Sequence, residues 1–194
     1  MYVVGTLLDT NFYIIMGLNS FISSIFGAKS EDFYLELHKT IDSSGITQVC
    51  VDSDNFDVKI EQSDNPYPEY KLFIKEGFKF SDMTLVENVN STKMSFSLKS
   101  RKNNMSGILE LLVPKSTRDF EIVCQNGDIT ISEISIDRMN LKTTNGDIEA
   151  KTKKEKYYII CHTTNGDISN KLPSFADSVK MINCSTVNGD IIIK

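Results

Sequence analysis

The sequence has no tryptophan, two histidines, four cysteines and four prolines in 194 residues. So little histidine leaves scant material for imidazole-based catalysis. Four cysteines are too few for a disulfide scaffold, and none lies in a C-x-x-C pair or at zinc-ligand spacing from a histidine. There is no basic excess either. Lys and Arg number 21 against 26 Asp and Glu, a net charge of −5, which argues against a nucleic-acid partner. With 40% hydrophobic and 24% charged residues, the chain is neither disordered nor collagen-like. Its length suits one domain with a continuous core.

What the chain does have is a repeat. One phrase occurs four times: Asn126-Gly127-Asp128-Ile129, Asn145-Gly146-Asp147-Ile148, Asn165-Gly166-Asp167-Ile168 and Asn188-Gly189-Asp190-Ile191. The match extends on both sides. Two residues before each Asn stand Cys124, Thr143, Thr163 and Thr186; four before stand Ile122, Leu141, Cys161 and Cys184. Five after come Ile131, Ala150, Asn170 and Ile193. An eroded fifth copy lies upstream, with Val51, Ser53, Asn55, Asp57, Val58 and Ile60 in the same columns and Phe56 in place of glycine.

The unit is readable in physical terms. Apolar or small residues at −4 and −2, with mostly polar Val123, Lys142, His162 and Ser185 between them, alternate with period two. Ile at +3 and an apolar residue at +5 begin a second alternating strand. Asn-Gly between the two is a backbone corner, since both residues tolerate positive φ. Asn-Gly is also a hairpin signal, but a meander has no need to keep the chemistry of every column. One coil of a β-solenoid takes about 20 residues, and stacked coils lie about 4.8 Å apart. Thr, Ile and Asn then form ladders, with the Asn amides satisfied along the axis. A lone unit cannot bury its apolar face, so the copies must stack.

The expected fold is therefore all-β: a single-stranded, right-handed β-solenoid of about eight coils over residues 31–194, roughly 40 Å long. Strand-like runs at 35–41, 46–51, 70–74, 94–98 and 108–113 fit it, and Pro114 marks a strand end. Arg101-Lys102-Asn103-Asn104 reads as a turn.

Within residues 1–30, Ile14, Ile15, Leu18, Phe21, Ile22, Ile25 and Phe26 follow a helical period, with Gly17, Asn19, Ser20, Ser23 and Ser24 on the other face. Asn11 is the expected N-cap and Gly27 the stop. This amphipathic helix either caps the solenoid or touches a membrane peripherally through residues 12–26. At the other end Ile191-Ile192-Ile193-Lys194 leaves the chain inside a strand. That coil needs cover from a partner, from another copy in end-to-end self-association, or from an earlier segment folded over it.

The chemical candidates are few. Each repeat Asp is a turn residue first; one carboxylate per corner offers few oxygens to calcium. Asp52, Asp54 and Asp57 resemble a calcium loop, with Phe56 and Asp57 in the wrong slots and no closing Glu. Stacked Asp128, Asp147, Asp167 and Asp190 are the one arrangement suited to paired-carboxylate glycoside cleavage. His38 and His162 read as strand residues. Cys124, Cys161 and Cys184 fall in inward columns as small hydrophobes, and Cys161 and Cys184, in neighbouring copies of one column, are candidates for either packed thiols or a disulfide. Lys151, Lys153, Lys154 and Lys156 form a solvated basic run or an anionic-polymer contact. No cofactor, metal or catalytic residue is expected.

The run Gly107–Pro114 followed by Asp119–Ile131 and the repeated T-x-N-G-D-I phrases resembles the bacterial putative-adhesin domains of unknown function, over residues 33–194. The resemblance implies a β-solenoid, no catalytic residues, and a place at the cell envelope. The combined expectation is a non-catalytic display or interaction module whose partner is a protein or cell-surface polymer. The alternative is a polysaccharide-binding or polysaccharide-cleaving protein that uses its stacked acids.

Overall fold

The computed structural model describes residues 32–194 and, before them, two strands at 3–7 and 10–14. Those two, β1 (Val3–Leu7) and β2 (Thr10–Ile14), pair antiparallel. The start of the expected helix is therefore strand. Thr10, Phe12, Tyr13 and Ile14 are strand formers by type, and here that preference outweighs a helical period. Residues 15–31, with the rest of the expected helix, lie outside the described residues. No helix among the described residues is long and apolar enough to cross a membrane.

The remaining strands follow in chain order: β3 (Phe33–Thr40), β4 (Gln48–Ser53), β5 (Phe56–Ser63), β6 (Glu69–Lys75), β7 (Met83–Val89), β8 (Lys93–Ser100) and β9 (Gly107–Pro114). Then come β10 (Asp119–Cys124), β11 (Ile129–Ile134), β12 (Arg138–Lys142), β13 (Ile148–Thr152), β14 (Tyr158–Asn165), β15 (Ile168–Asn170), β16 (Met181–Asn188) and β17 (Ile191–Ile193). They form two sheets. One runs β1-β2-β3-β6-β9-β5-β11-β13-β17-β15, the other β14-β16-β12-β10-β4-β8-β7.

The architecture is a stack of layers. Each layer is a strand of the second sheet, a corner, and a strand of the first sheet, paired in parallel with the layers on either side. Six layers stack in the order β8/β9, β4/β5, β10/β11, β12/β13, β16/β17, β14/β15. The eight-coil expectation spread coils of about 20 residues evenly over residues 31–194, a span that includes the strands β3, β6 and β7. They pair antiparallel instead and close one end of the stack. Lys39 on β3 and Tyr70 on β6 both bond Glu87 on β7, at 2.9 and 2.8 Å, tying the two sheets together there.

Register follows the repeat columns. Leu109, Val58, Ile129, Ile148, Ile191 and Ile168 are successive neighbours, as are Leu111, Ile60, Ile131, Ala150, Ile193 and Asn170. Across the interior, Phe96, Val51, Ile122, Leu141, Cys184 and Cys161 form the facing column. Except in the last layer, where Ile168 and Asn170 are exposed and Cys161 is half-buried, these side chains point between the layers' two walls and constitute the core. Phe56, in the glycine slot of its copy, turns its ring into this core, where a Cβ at Gly107 would lie 2.4 Å from it.

The stacking order departs from the chain order at the last two copies. The 181–193 layer inserts between 138–152 and 158–170, so the layer expected to be bare is covered on both sides by its own chain. The reason is in the columns. At +5 the 158–170 copy carries Asn170, which is exposed, while the 181–193 copy carries Ile193, which is fully buried. Burying an amide without partners costs about 2 kcal/mol or more, and exposing an isoleucine forfeits about as much again. The polar-bearing copy therefore takes the end.

Candidate functional site: the Asn-Gly-Asp column

The corners of five layers form one column along the stack. Asn126 donates its side-chain amide to Asn55 Oδ1 at 2.7 Å, Asn145 to Asn126 at 2.6 Å, Asn188 to Asn145 at 2.6 Å and Asn165 to Asn188 at 2.8 Å. The aspartates form a second ladder. The backbone N–H of Asp128 donates to Asp57 Oδ1, that of Asp147 to Asp128, that of Asp190 to Asp147 and that of Asp167 to Asp190, all at 2.7–2.9 Å. Bonds from N–H groups to a carboxylate are stronger than those between neutral partners, and here each one links two layers.

Glycine is required by contact. A Cβ on Gly127 would lie 2.4 Å from the Phe56 carbonyl oxygen; on Gly146, 2.3 Å from that of Gly127. On Gly189 and on Gly166 it would lie 2.0 Å from the carbonyl oxygens of Gly146 and Gly189. The corner chemistry expected from the sequence is amended accordingly. Among described residues outside glycine, positive φ occurs only at Asn104 and Glu133, so the repeat asparagines serve through their amides and not through a left-handed backbone. Of the repeat glycines, Gly146 and Gly189 have positive φ, at 157° and 151°.

The hydroxyl column completes the step between layers. Thr143 donates to the Gly127 carbonyl at 3.0 Å, Thr186 to Gly146 at 3.1 Å and Thr163 to Gly189 at 2.9 Å. Ser53 Oγ bonds the Phe56 carbonyl of its own layer at 3.1 Å. The Thr hydroxyls, the Asn amides and every Asp carboxylate of the column but that of Asp167 are thus committed to neighbouring layers.

Electrostatics at the column follow burial. The Asp57 carboxyl is held above the usual range, chiefly by desolvation, against the pull of the Asp128 N–H. The Cys124 thiol is pushed up to about 12, again by burial first. Cys161 and Cys184 stand directly opposite each other on β14 and β16 as free thiols, and the Cys184 thiol is raised by its bond to Cys161 and by burial.

The other sequence candidates fall elsewhere. Asp52 and Asp54 both accept from Lys99 Nζ at 3.0 Å, and Asp57 belongs to the corner ladder, so the three do not converge. His38 lies 3.3 Å from Glu69, and His162 is exposed on β14. Lys151 pairs with Glu149, while Lys156 lies over the Phe175 ring, 5.4 Å from its centroid. Two features were missed. A polar cleft of about 520 Å³ lies beside the Asn55 end of the column, lined by Asp54, Asn55, Gln125, Asn126 and the Ser100–Asn104 turn. The second is the open outer face of the 158–170 layer, for which Asn170 among apolar equivalents was the available signal.

Residues 101–194 match the family Toastrack DUF4097. The matched segment holds all four Asn-Gly-Asp layers and is similar to that family over just under half of the chain. No curated protein matches the chain. Among solved structures, the chain is similar to a "putative cell adhesion protein" of Clostridium sporogenes, with a TM-score of 0.50 and 10% identity over 81% of this chain and 97% of that one. A "putative adhesin" of Parabacteroides merdae matches with a TM-score of 0.37 and 12% identity over 84% and 82%. A "putative lipid binding protein" of Parabacteroides distasonis matches at 0.44 and 17% over 84% and 68%. At 10% identity the likeness to the Clostridium sporogenes structure is one of fold.

Proposed function

We propose that this protein is a non-catalytic, adhesin-like interaction module that displays a layered β-stack at the cell envelope. Each layer is read as one coil of a right-handed β-solenoid. The observation that carries this reading is the use made of the repeat acids. Asp128, Asp147 and Asp190 each receive the backbone N–H of the next layer's aspartate, which makes the column a fastening and leaves the sheet faces as the working surface. The name borne by the Clostridium sporogenes protein of similar fold, a "putative cell adhesion protein", agrees with it. Its partner is a protein or a cell-surface polymer.

The test separates fastening from chemistry. Replacing Asp128, Asp147, Asp167 and Asp190 together by Asn keeps an acceptor oxygen in each corner and removes the charge. The proposed module stays folded, and beads coated with it adhere to bacterial cell-wall preparations as the unaltered protein does. If the variant folds yet loses adhesion, or if the unaltered protein alone releases reducing sugar from polysaccharide, the reading fails. A saccharide-binding reading is favoured by one feature, the amide-rich cleft lined by Asn55, Gln125 and Asn126. Saccharide binding lost on Gln125→Ala would support it.

A further inference from the structure

The two ends of the stack differ. One is closed by β6, β7 and β3. At the other, the outer face of the 158–170 layer carries no further strand among the described residues.

What that face lacks is defined by the steps beneath it. Three successive steps, 126 to 145, 145 to 188 and 188 to 165, use the same five bonds. The outer layer's Asn amide, Asp N–H and Thr hydroxyl donate to the inner layer's Asn Oδ1, Asp Oδ1 and Gly carbonyl. In return, the inner Gly and Ile N–H groups donate to the outer Asn and Asp carbonyls, at 3.0 and 2.9 Å. On the outward side of the last layer all five positions are unfilled by described residues: Asn165 Oδ1, the Gly166 carbonyl, Asp167 Oδ1, and the N–H groups of Gly166 and Ile168. Beside them Ile168 is 46% exposed, where the equivalent Ile191 is fully buried.

The open face is short. Ser174 and Phe175 cover the start of β14, with Ile159 N–H donating to Ser174 Oγ and Phe175 N–H to the Tyr157 carbonyl. Added chain fits only over the corner, from about Cys161 to Asn170. β14 and β15 hold no proline, lysine or acidic residue to deter addition, and the acid of the corner between them, Asp167, stands where the inner layers use Asp as an acceptor.

We propose that the outer face of the 158–170 layer is a strand-addition site for an extended segment of a partner protein reading apolar-x-Thr/Ser-x-Asn-Gly-Asp-aliphatic. The argument is continuity: the face repeats one that takes such a segment three times within this molecule. Each requirement has a source. The corner glycine is needed because a Cβ in that slot meets the carbonyl below at about the 2.0–2.3 Å found inside the stack, the Asn and hydroxyl supply donors to Asn165 and Gly166, and the aliphatic residue covers Ile168. Main-chain bonds give affinity and the corner gives selectivity, as in other strand additions. The proposal deepens the module reading by naming the chemistry of one partner.

The probe is a fluorescein-labelled peptide with the sequence of residues 182–194, its cysteine replaced by valine to keep that position apolar, titrated into the full chain and followed by anisotropy and amide NMR. Saturable one-to-one binding is expected, shifting the Gly166 and Ile168 amides. It should weaken at least tenfold when the peptide glycine becomes alanine. The Asp167→Ala protein, whose own N–H still bonds Asp190, should stay folded and bind at least tenfold more weakly. Four results would overturn the proposal: no binding, binding indifferent to the glycine, shifts centred on Ile148 because the peptide displaces the chain's own 181–193 layer, or a dimer that already protects Gly166 and Ile168. The bead-adhesion result does not depend on this peptide, so the two readings fail separately.

Discussion

Asn188 donates its side-chain amide to Asn145 at 2.6 Å, although the Asn165 copy lies between them in sequence. The ladder thus records the order of the layers. Asn188 and Asn145 each hold two ladder bonds, whereas Asn165, at the open end, holds one.

The ladder predicts a gradient. Asn188→Ala should destabilise the protein by about 1–2 kcal/mol and Asn165→Ala by about half as much, given the net worth of a hydrogen bond. Urea unfolding of the two variants checks this. Equal effects would mean that the ladder contributes nothing as a ladder.

The glycines predict a sharper contrast. Gly189→Ala drives a Cβ to 2.0 Å from the Gly146 carbonyl oxygen, with backbone on both sides of the contact. The expected cost is about 3 kcal/mol or more, in the range of buried backbone clashes. Gly77→Ala meets nothing within 4 Å and only strains a φ of 90°, which costs about 1–2 kcal/mol. Thermal melts of both variants test the difference.

Layer order predicts an asymmetry at +5. Ile193→Asn should cost about 3–5 kcal/mol by leaving a cavity and burying an amide, whereas Asn170→Ile, at an exposed position, should change stability by less than about 1 kcal/mol. Comparable losses would place the two copies in equivalent surroundings and contradict the insertion.

A pH effect is expected at Glu110. It is 6% exposed on β9, with Lys59 and Lys71 opposite it on the flanking strands. Burial outweighs both lysines and holds its carboxyl above the usual range. A carboxyl raised in the folded state binds more protons there than when unfolded. Stability therefore falls as pH rises from the ordinary carboxylate range through the raised value. Glu110→Gln should be more stable than the parent at neutral pH, and the gain should vanish below the ordinary carboxylate range. Denaturation midpoints across that window measure it.

The columns of the repeat were legible because layers stacked in register preserve side-chain type: Val51, Ser53, Asn55 and Asp57 could be aligned with the later copies even without the glycine. The β8/β9 layer was not recognised as a copy. Its corner, Arg101–Asn104, is a longer turn that keeps none of the ladder residues except Ser100, 3.4 Å from Asn55. The antiparallel β3 and β6 carry alternating or apolar runs much as the parallel strands do, so periodicity alone could not separate them. Layer order was out of reach for a different reason. Two copies with the same phrase fit the same slot, and only the contrast of Asn170 with Ile193 decides between them. The column geometry that makes the repeat visible also hides which neighbour each copy has.

The most direct measurement is a methyl NOE experiment on protein labelled at isoleucine. The layers place Ile148 beside Ile191, with Ile168 on the far side of Ile191. A cross-peak between Ile148 and Ile191, and none between Ile148 and Ile168, is the predicted result; a strong Ile148–Ile168 cross-peak would contradict the inserted layer and the ladder built on it.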